Sequence, residues 1–379
     1  MNDITARSAA QAWSFVPHQH RGPEGQTGAE DHIRSPKKHN GAFKAGGIVT
    51  FMGAPYCVPD RRAIREVGAK VCFLGVPYDH GCLSRHGTSQ GPEALRQAST
   101  QYFPYMFDYD VDILTFFRVV DCGDIPNVAG NNERSQEYIY EYVTECLEGG
   151  ASVILCGGDH SVPIPGARAV SHYYRSGTMG YVHIDCHLDS VPDWGGILIT
   201  NGSGVSRLLD LPNCGAKNIV HIGSRNGLNA KDWMDFFIDN NIRCIPMREV
   251  LEKGLVPSFH EAFRIARNGT DGFYCSWDTD SLDASCMPGT SAPECFGIKS
   301  REAIAIARML GEYGCDVLEF AELAPPFDVS QMSAKMVCCL AYHYLGSRAK
   351  TLRAREAGVR AKQTARQRSQ QLREREIVR

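Results

Sequence analysis

Three short segments carry the residues best able to do chemistry. They are Gly157-Gly158-Asp159-His160, then His183-Ile184-Asp185-Cys186-His187-Leu188-Asp189, then Ser276-Trp277-Asp278-Thr279-Asp280. Each follows or ends an apolar run such as Val153-Ile154-Leu155. Residues two apart on a strand point the same way. Extended backbone would therefore aim Asp185, His187 and Asp189 in one direction, and would pair Asp278 with Asp280. These five groups and His160, gathered in one place, would repel or stay unsatisfied without cations. Four aspartates and two imidazoles suit Mn, Ni, Co or Fe, whereas a structural zinc would recruit cysteine. Taken singly, each piece is weak: a lone DxD is commonly a turn, and a lone histidine commonly a core or surface residue. Together, in chain order and each at the end of an apolar run, they point to a centre for two divalent metal ions.

The elements that must position these residues alternate along the chain. Apolar runs over 71–76, 153–156, 180–184, 219–223, 243–245, 272–277 and 316–322 predict strands. Helices are predicted over 93–99, 137–147, 162–174, 232–240, 258–267, 300–313 and from 335 onward. Strands that are apolar throughout and alternate with helices form a parallel sheet covered on both faces. Ligands of such sheets bind beyond the carboxyl ends of the strands, which is where all three acidic segments fall. Nothing matches a Gly-rich nucleotide loop, because 81–91 lacks both GxGxxG and GxxxxGK spacing.

The chain has 379 residues, 43% of them hydrophobic, enough to bury a large core. Its fifteen cysteines are scattered through apolar runs rather than paired as CxxC. With no apolar leader at the N-terminus, that usage predicts a reducing, cytoplasmic setting. No stretch approaches the ~20 apolar residues of a membrane span, so no membrane partner is expected. Residues 1–50 are rich in Gly, His, Pro, Lys and Gln and read as a partly disordered N-terminal arm. Residues 51–346 read as the catalytic domain. Residues 347–379 hold 11 Lys or Arg against 3 Glu and form a basic C-terminal helix or tail of charge +8. The tail has no aromatic residue for base stacking, so no nucleic-acid partner is expected.

From Phe73 to Asp328 the chain resembles the ureohydrolases, the arginase and agmatinase family. The resemblance is carried by Gly75-Val76-Pro77-Tyr78-Asp79, by Gly87-Thr88-Ser89-Gln90-Gly91-Pro92-Glu93 and by Asp121-Cys122-Gly123-Asp124. It continues through Gly157-Gly158-Asp159-His160-Ser161, Asp185-Cys186-His187-Leu188-Asp189 and Ser276-Trp277-Asp278-Thr279-Asp280-Ser281-Leu282-Asp283. Pro288-Gly289-Thr290 and Glu322-Leu323-Ala324-Pro325-Pro326-Phe327-Asp328 close it. It implies a three-layer α/β/α sandwich with a central parallel sheet and a dinuclear centre. By motif position, Asp185 and Asp278 would bridge the metals. His160 and Asp189 would complete one site, and His187 and Asp280 the other. Glu322 would pair with a substrate guanidinium. A guanidinium carbon is a poor electrophile, and two cations sharing a water lower its pKa toward ~7 and so make a nucleophile. Asp189 would orient that nucleophile.

The departures from the family pattern bear on substrate. Cys186 stands where relatives have Ala, and it is expected to point away from the metals as packing. The His-Gly pair of agmatinases and arginases is replaced here by Asn201-Gly202, and Asn201 cannot act as an acid or base. His86, in the loop Ser84-Arg85-His86-Gly87, is the candidate to replace that histidine. Gly289-Thr290-Ser291-Ala292-Pro293 replaces a Gly-Thr-Gly-Thr-Pro run and is expected to remove a hydroxyl near the guanidinium. Asn201, His86 and Glu322 are thus the substrate-binding candidates. The expected reaction is hydrolysis of a small guanidine or a biguanide of the metformin type, since similar enzymes carry N-terminal arms and use nickel. Agmatinase or guanidinobutyrase activity is the alternative. A further alternative is a non-catalytic subunit of a hetero-oligomer with a sister chain. The family resemblance otherwise implies a homo-oligomer, a trimer or hexamer, and nickel or manganese as the metal.

Overall fold

The apolar runs become strands because a parallel sheet covered on both faces buries every side chain of its inner strands. The computed structural model describes residues 48–377, with side chains of the last helix through 359; most of the expected N-terminal arm lies outside the described residues. Ten strands are present among them: β1 (Val71–Gly75), β2 (Tyr105–Met106), β3 (Val111–Asp112), β4 (Val119–Asp124) and β5 (Ser152–Cys156). They continue with β6 (Met179–Ile184), β7 (Ile219–Ile222), β8 (Arg243–Ile245), β9 (Gly272–Asp278) and β10 (Val317–Ala321). β2 and β3 form a small antiparallel hairpin. The other eight are parallel, in the order β4-β1-β5-β10-β9-β6-β7-β8.

Alternate strand residues feed two separate cores. Phe73, Ile154, Val182, Phe273, Cys275, Trp277 and Phe320 face one side, against Phe259, Phe263, Ile306, Leu310 and Val337 from helices. Cys72, Leu74, Val153, Leu155, Tyr181 and Tyr274 face the other, against Ile139, Val143, Ala167 and Val170. This is the expected three-layer α/β/α sandwich. Local signals start and stop its helices. Asp60 caps Arg61–Val67 through the Arg62 and Ala63 N–H groups, and Asn131 caps Asn132–Glu148. Pro163 opens Pro163–Tyr173.

The structure adds elements that the sequence did not predict. Strand β4, the helix Arg61–Val67 and the helix Met247–Lys253 were not expected. In β4 the run is broken by Asp121 and Asp124, both held by Arg96. The last helix, Met332–Ile377, passes residue 346 without a break, although burial along it ends near Ala349. Among the described residues, none of the helices is long and apolar enough to cross a membrane.

The chain lays down β5 and β6 with a gap between them. It builds β7 and β8 outward from β6, then returns to fill the gap with β9 and β10. The three acidic segments and Glu322 follow or end these four adjacent strands.

Candidate metal centre

After β5 the backbone must turn sharply to present His160. Gly157 (φ 96°) and Gly158 (φ 77°) allow it. A Cβ on Gly158 would lie 2.7 Å from Val162 Cγ2 and 2.8 Å from the Tyr78 carbonyl. Asp159 is buried and accepts from the N–H groups of Gly81 (2.7 Å) and Ser161 (3.0 Å), which pins the turn. Burial pushes its pKa up to about 6 against those donors.

The six predicted donors converge. His160 Nδ1 lies 2.9 Å from Asp185 Oδ2, 2.9 Å from Asp189 Oδ2 and 3.0 Å from Asp278 Oδ2. His187 Nδ1 lies 3.1 Å from Asp280 Oδ2 and 3.6 Å from Asp185 Oδ1. His160, Asp185, Asp189, Asp278 and Asp280 are buried. Yet His160 Nδ1 and Asp185 Oδ2 make no aligned hydrogen bond. An octahedron of ~2.1 Å bonds has edges of about 3.0 Å, so these separations fit donors arranged round ions better than donors bonded to one another. The charges agree. Burial raises Asp185 and Asp278, and neighbouring aspartates raise them further. Burial would lower His160, but Asp278, Asp185 and Asp189 hold it well above the ordinary histidine range. A pair of cations relieves all of these pressures at once.

The route by which they converge is not the one periodicity suggested. β6 ends at Ile184, and the backbone beyond it is irregular, with Asp189 at φ 47°. β9 ends at Asp278, and a 3₁₀ turn, Thr279–Ser281, swings Asp280 back, its N–H donating to Asp278 Oδ1 at 2.7 Å. Because alternation stops at Ile184, Cys186 does not turn away. Its thiol donates to Asp280 Oδ1 at 3.0 Å and lies 3.5 Å from both ring nitrogens of His187.

A second layer fixes the donors. His160 Nε2 lies 2.7 Å from Ser276 Oγ, which donates to buried Glu319 at 2.9 Å. The serine proton is committed to that carboxylate, so Nε2 carries a proton, and a cation at the centre would take the Nδ1 lone pair in place of the second proton that the aspartates favour. His183, two residues before Asp185, also enters the cluster, with Nε2 3.1 Å from Asp185 Oδ2. The sequence reading passed over it. Its strand position, on the face shared with Asp185, was the available signal.

Glu322, after β10, is 1% exposed and adopts φ 65°, a strained value for a non-glycine residue. It accepts from the His160 N–H (2.8 Å), from Asn201 Nδ2 (3.1 Å) and from the Ser291 hydroxyl. Asn201 is therefore brought to the site. The expected loss of a hydroxyl from 289–293 does not occur, because Ser291 supplies one. Burial, then repulsion from Asp159, pushes Glu322 up to about 7 against these donors. His86 is exposed, with its Nδ1 3.1 Å from the Asp79 carbonyl, on a loop whose Leu83 N–H donates to Asn201 Oδ1 at 3.0 Å.

A covered parallel sheet with an acidic, imidazole-bearing centre at its carboxyl edge is the build of a metal-dependent hydrolase. The arginase family model matches residues 69–346, and the chain belongs to that family. It is accordingly a metal-dependent amidinohydrolase acting on guanidino C–N bonds. It is 31% identical to the mitochondrial agmatinase of Gallus gallus over 281 residues, 73% of this chain and 81% of that one. It is 28% identical to the guanidinobutyrase of Pseudomonas aeruginosa over 321 residues, 83% of this chain and 97% of that one. Among solved structures, Trypanosoma cruzi formiminoglutamase with manganese superposes with a TM-score of 0.70 at 25% identity, covering 77% of this chain and 99% of that one.

Proposed function

We propose that the chain hydrolyses a small guanidine, either guanidine itself or a biguanide of the metformin kind, to urea or a substituted urea plus ammonia or an amine. His160 and Asp189 would hold one divalent cation, nickel or manganese, and His187 and Asp280 the other, with Asp185 and Asp278 shared. When bound, the cations lower the pKa of a shared water and so supply a nucleophile near neutral pH. Asp189 would accept a hydrogen bond from a water held there and orient it. Glu322 pairs with the guanidinium, its carboxylate held in place by Asn201, Ser291 and the His160 N–H.

The observation that carries the small substrate is how the charged groups near the site are engaged. Arg85 donates to the carbonyls of Ser291 (2.8 Å) and Thr290 (2.7 Å) and lies over the Phe327 ring. Arg225 is spent on the carbonyls of Cys295, Asp280 and Glu294. Arg225 is thus fully engaged and Arg85 largely so, which argues against a substrate carboxylate such as that of 4-guanidinobutyrate; agmatine carries no carboxylate, and the assay below separates it. Agmatine or 4-guanidinobutyrate is the second reading, favoured by the relatives that bear those names. We read the assembly as a homo-oligomer, a trimer or hexamer; a chain inactive alone but active with a sister subunit would point to a hetero-oligomer. Urea release should be measured with guanidine, metformin, agmatine and 4-guanidinobutyrate, supplying Ni and Mn in turn. Turnover confined to agmatine or 4-guanidinobutyrate ends the small-substrate proposal.

A further inference from the structure

We propose that His183 and His221 form a buried relay that positions the carboxylates of Asp185 and Asp189, and through them sets the grip on the cations. The inference rests on the reading that those carboxylates hold metal. Neither histidine is among the six expected donors. They sit opposite each other across the β6–β7 ladder, 1% and 0% exposed. Their Nδ1 atoms are 2.8 Å apart. His183 Nε2 lies 3.1 Å from Asp185 Oδ2 and 3.6 Å from Asp189 Oδ2, between the two oxygens and aligned with neither.

The proton positions follow from which atoms need partners. Two neutral imidazoles in contact through Nδ1 share one proton there. Were His183 the donor, its Nε2 would aim a lone pair at two carboxylate oxygens. With His221 as the donor, His183 keeps its Nε2–H and presents it to both. The unused lone pair then falls on His221 Nε2, which has no partner and sits in a ring contact with Phe237. A buried acceptor left over is less costly than a buried N–H left over. Asp185 Oδ1 meanwhile accepts the His187 N–H at 2.6 Å. Asp185 is thus bonded at Oδ1 by the His187 N–H and flanked at Oδ2 by His183 Nε2, so its two oxygens are placed before any cation arrives. Supports of this kind around metal-bound carboxylates govern affinity.

The test uses the full chain, stripped of metal and titrated with Mn²⁺ and with Ni²⁺ against a chromophoric chelator. His183→Phe should weaken both metals by about 10- to 100-fold. His183→Gln, which restores an N–H near the same place, should recover part of the loss. His221→Phe should weaken binding less than His183→Phe, because His183 remains but loses its anchor. Thermal unfolding of the metal-free proteins is measured alongside. Metal affinities equal to wild type in both Phe variants overturn the relay, whether or not the metal-free proteins lose stability, since lost stability alone marks a packing role. If His183→Phe does not fold, His183→Gln and His221→Phe carry the same comparison. A wild-type chain that binds no pair of cations would instead sink the underlying metal reading.

Discussion

Glu322→Gln separates substrate recognition from metal binding. The carboxylate accepts three hydrogen bonds, from the His160 N–H, Asn201 and Ser291. Glutamine keeps one oxygen for the first two, and the Ser291 hydroxyl can rotate to accept from the new amide. The turn that carries His160 should therefore survive, and so should the cations. What disappears is the charge opposite the guanidinium. A hydrogen bond between charged groups is worth ~1.5–3 kcal/mol, so a two-bond pair is worth ~3–6 kcal/mol. At 1.4 kcal/mol per decade, kcat/KM should fall by about 10²- to 10⁴-fold. The pair exists in the ground state as well as the transition state, so most of the loss should appear as a higher KM. The assay is urea release over a wide substrate range, with metal content measured on the same sample. An unchanged kcat/KM with metal content intact would refute the assignment. So would a loss of activity that merely tracks a loss of metal.

Stripping the metals should lower the melting temperature of the whole domain, because each cation held at 100 times its Kd contributes ~2.7 kcal/mol; differential scanning calorimetry with and without EDTA checks this, and coincident transitions would contradict it. Arg96 is 8% exposed and bridges Asp121 (2.8 Å) and Asp124 (2.6 Å). Arg96→Leu leaves Asp121 buried without its partner and should cost ~3–5 kcal/mol in denaturant unfolding, where a loss typical of a surface pair, under ~1 kcal/mol, would show the site to be solvated. Burial alone would raise Asp283, but Ser285, Lys299 and the Gly297 N–H hold its carboxyl well below the usual range. A depressed folded pKa stabilises above the unfolded value of ~3.9, and that contribution is lost as pH falls through the folded value. Asp283→Asn should therefore cost ~1–3 kcal/mol at neutral pH, with the gap to wild type narrowing as the solution is acidified; a gap independent of pH would show that the charge is not its source.

Strands were legible where burial on both faces made them apolar throughout. β4 escaped because Asp121 and Asp124, serving Arg96, interrupt its apolar pattern. The gathering of His160, Asp185, His187, Asp189, Asp278 and Asp280 was also legible, yet the alternation argument for it describes none of the backbone between them. The chain leaves extended geometry at Asp185 and again after Asp278, and residue order does not reveal a φ of 47° at Asp189 or 65° at Glu322. That is why Cys186, placed on the outside by alternation, reaches Asp280. Ser291 was misjudged for another reason. Its partner Glu322 is 31 residues away and on a different element, and a motif comparison sees which hydroxyl is missing but not which one takes its place.

Strand order explains why no short piece of this chain can build the centre. β5 delivers His160 and β6 delivers Asp185, but two strand positions lie between them, and the strands that occupy those positions, β10 and β9, come after β7 and β8 in the chain. Asp278 and Glu322 therefore arrive with the strands that close the sheet. Until then His160 and Asp185 lack the lateral support that brings Nδ1 and Oδ2 to 2.9 Å. The cluster is complete only when the sheet is closed, so the repulsion among its buried carboxylates bears on the whole folded sheet rather than on one loop. Cations that relieve it act on the same global equilibrium. Chelation should accordingly shift one cooperative transition of the domain and leave no separate, early-melting fragment.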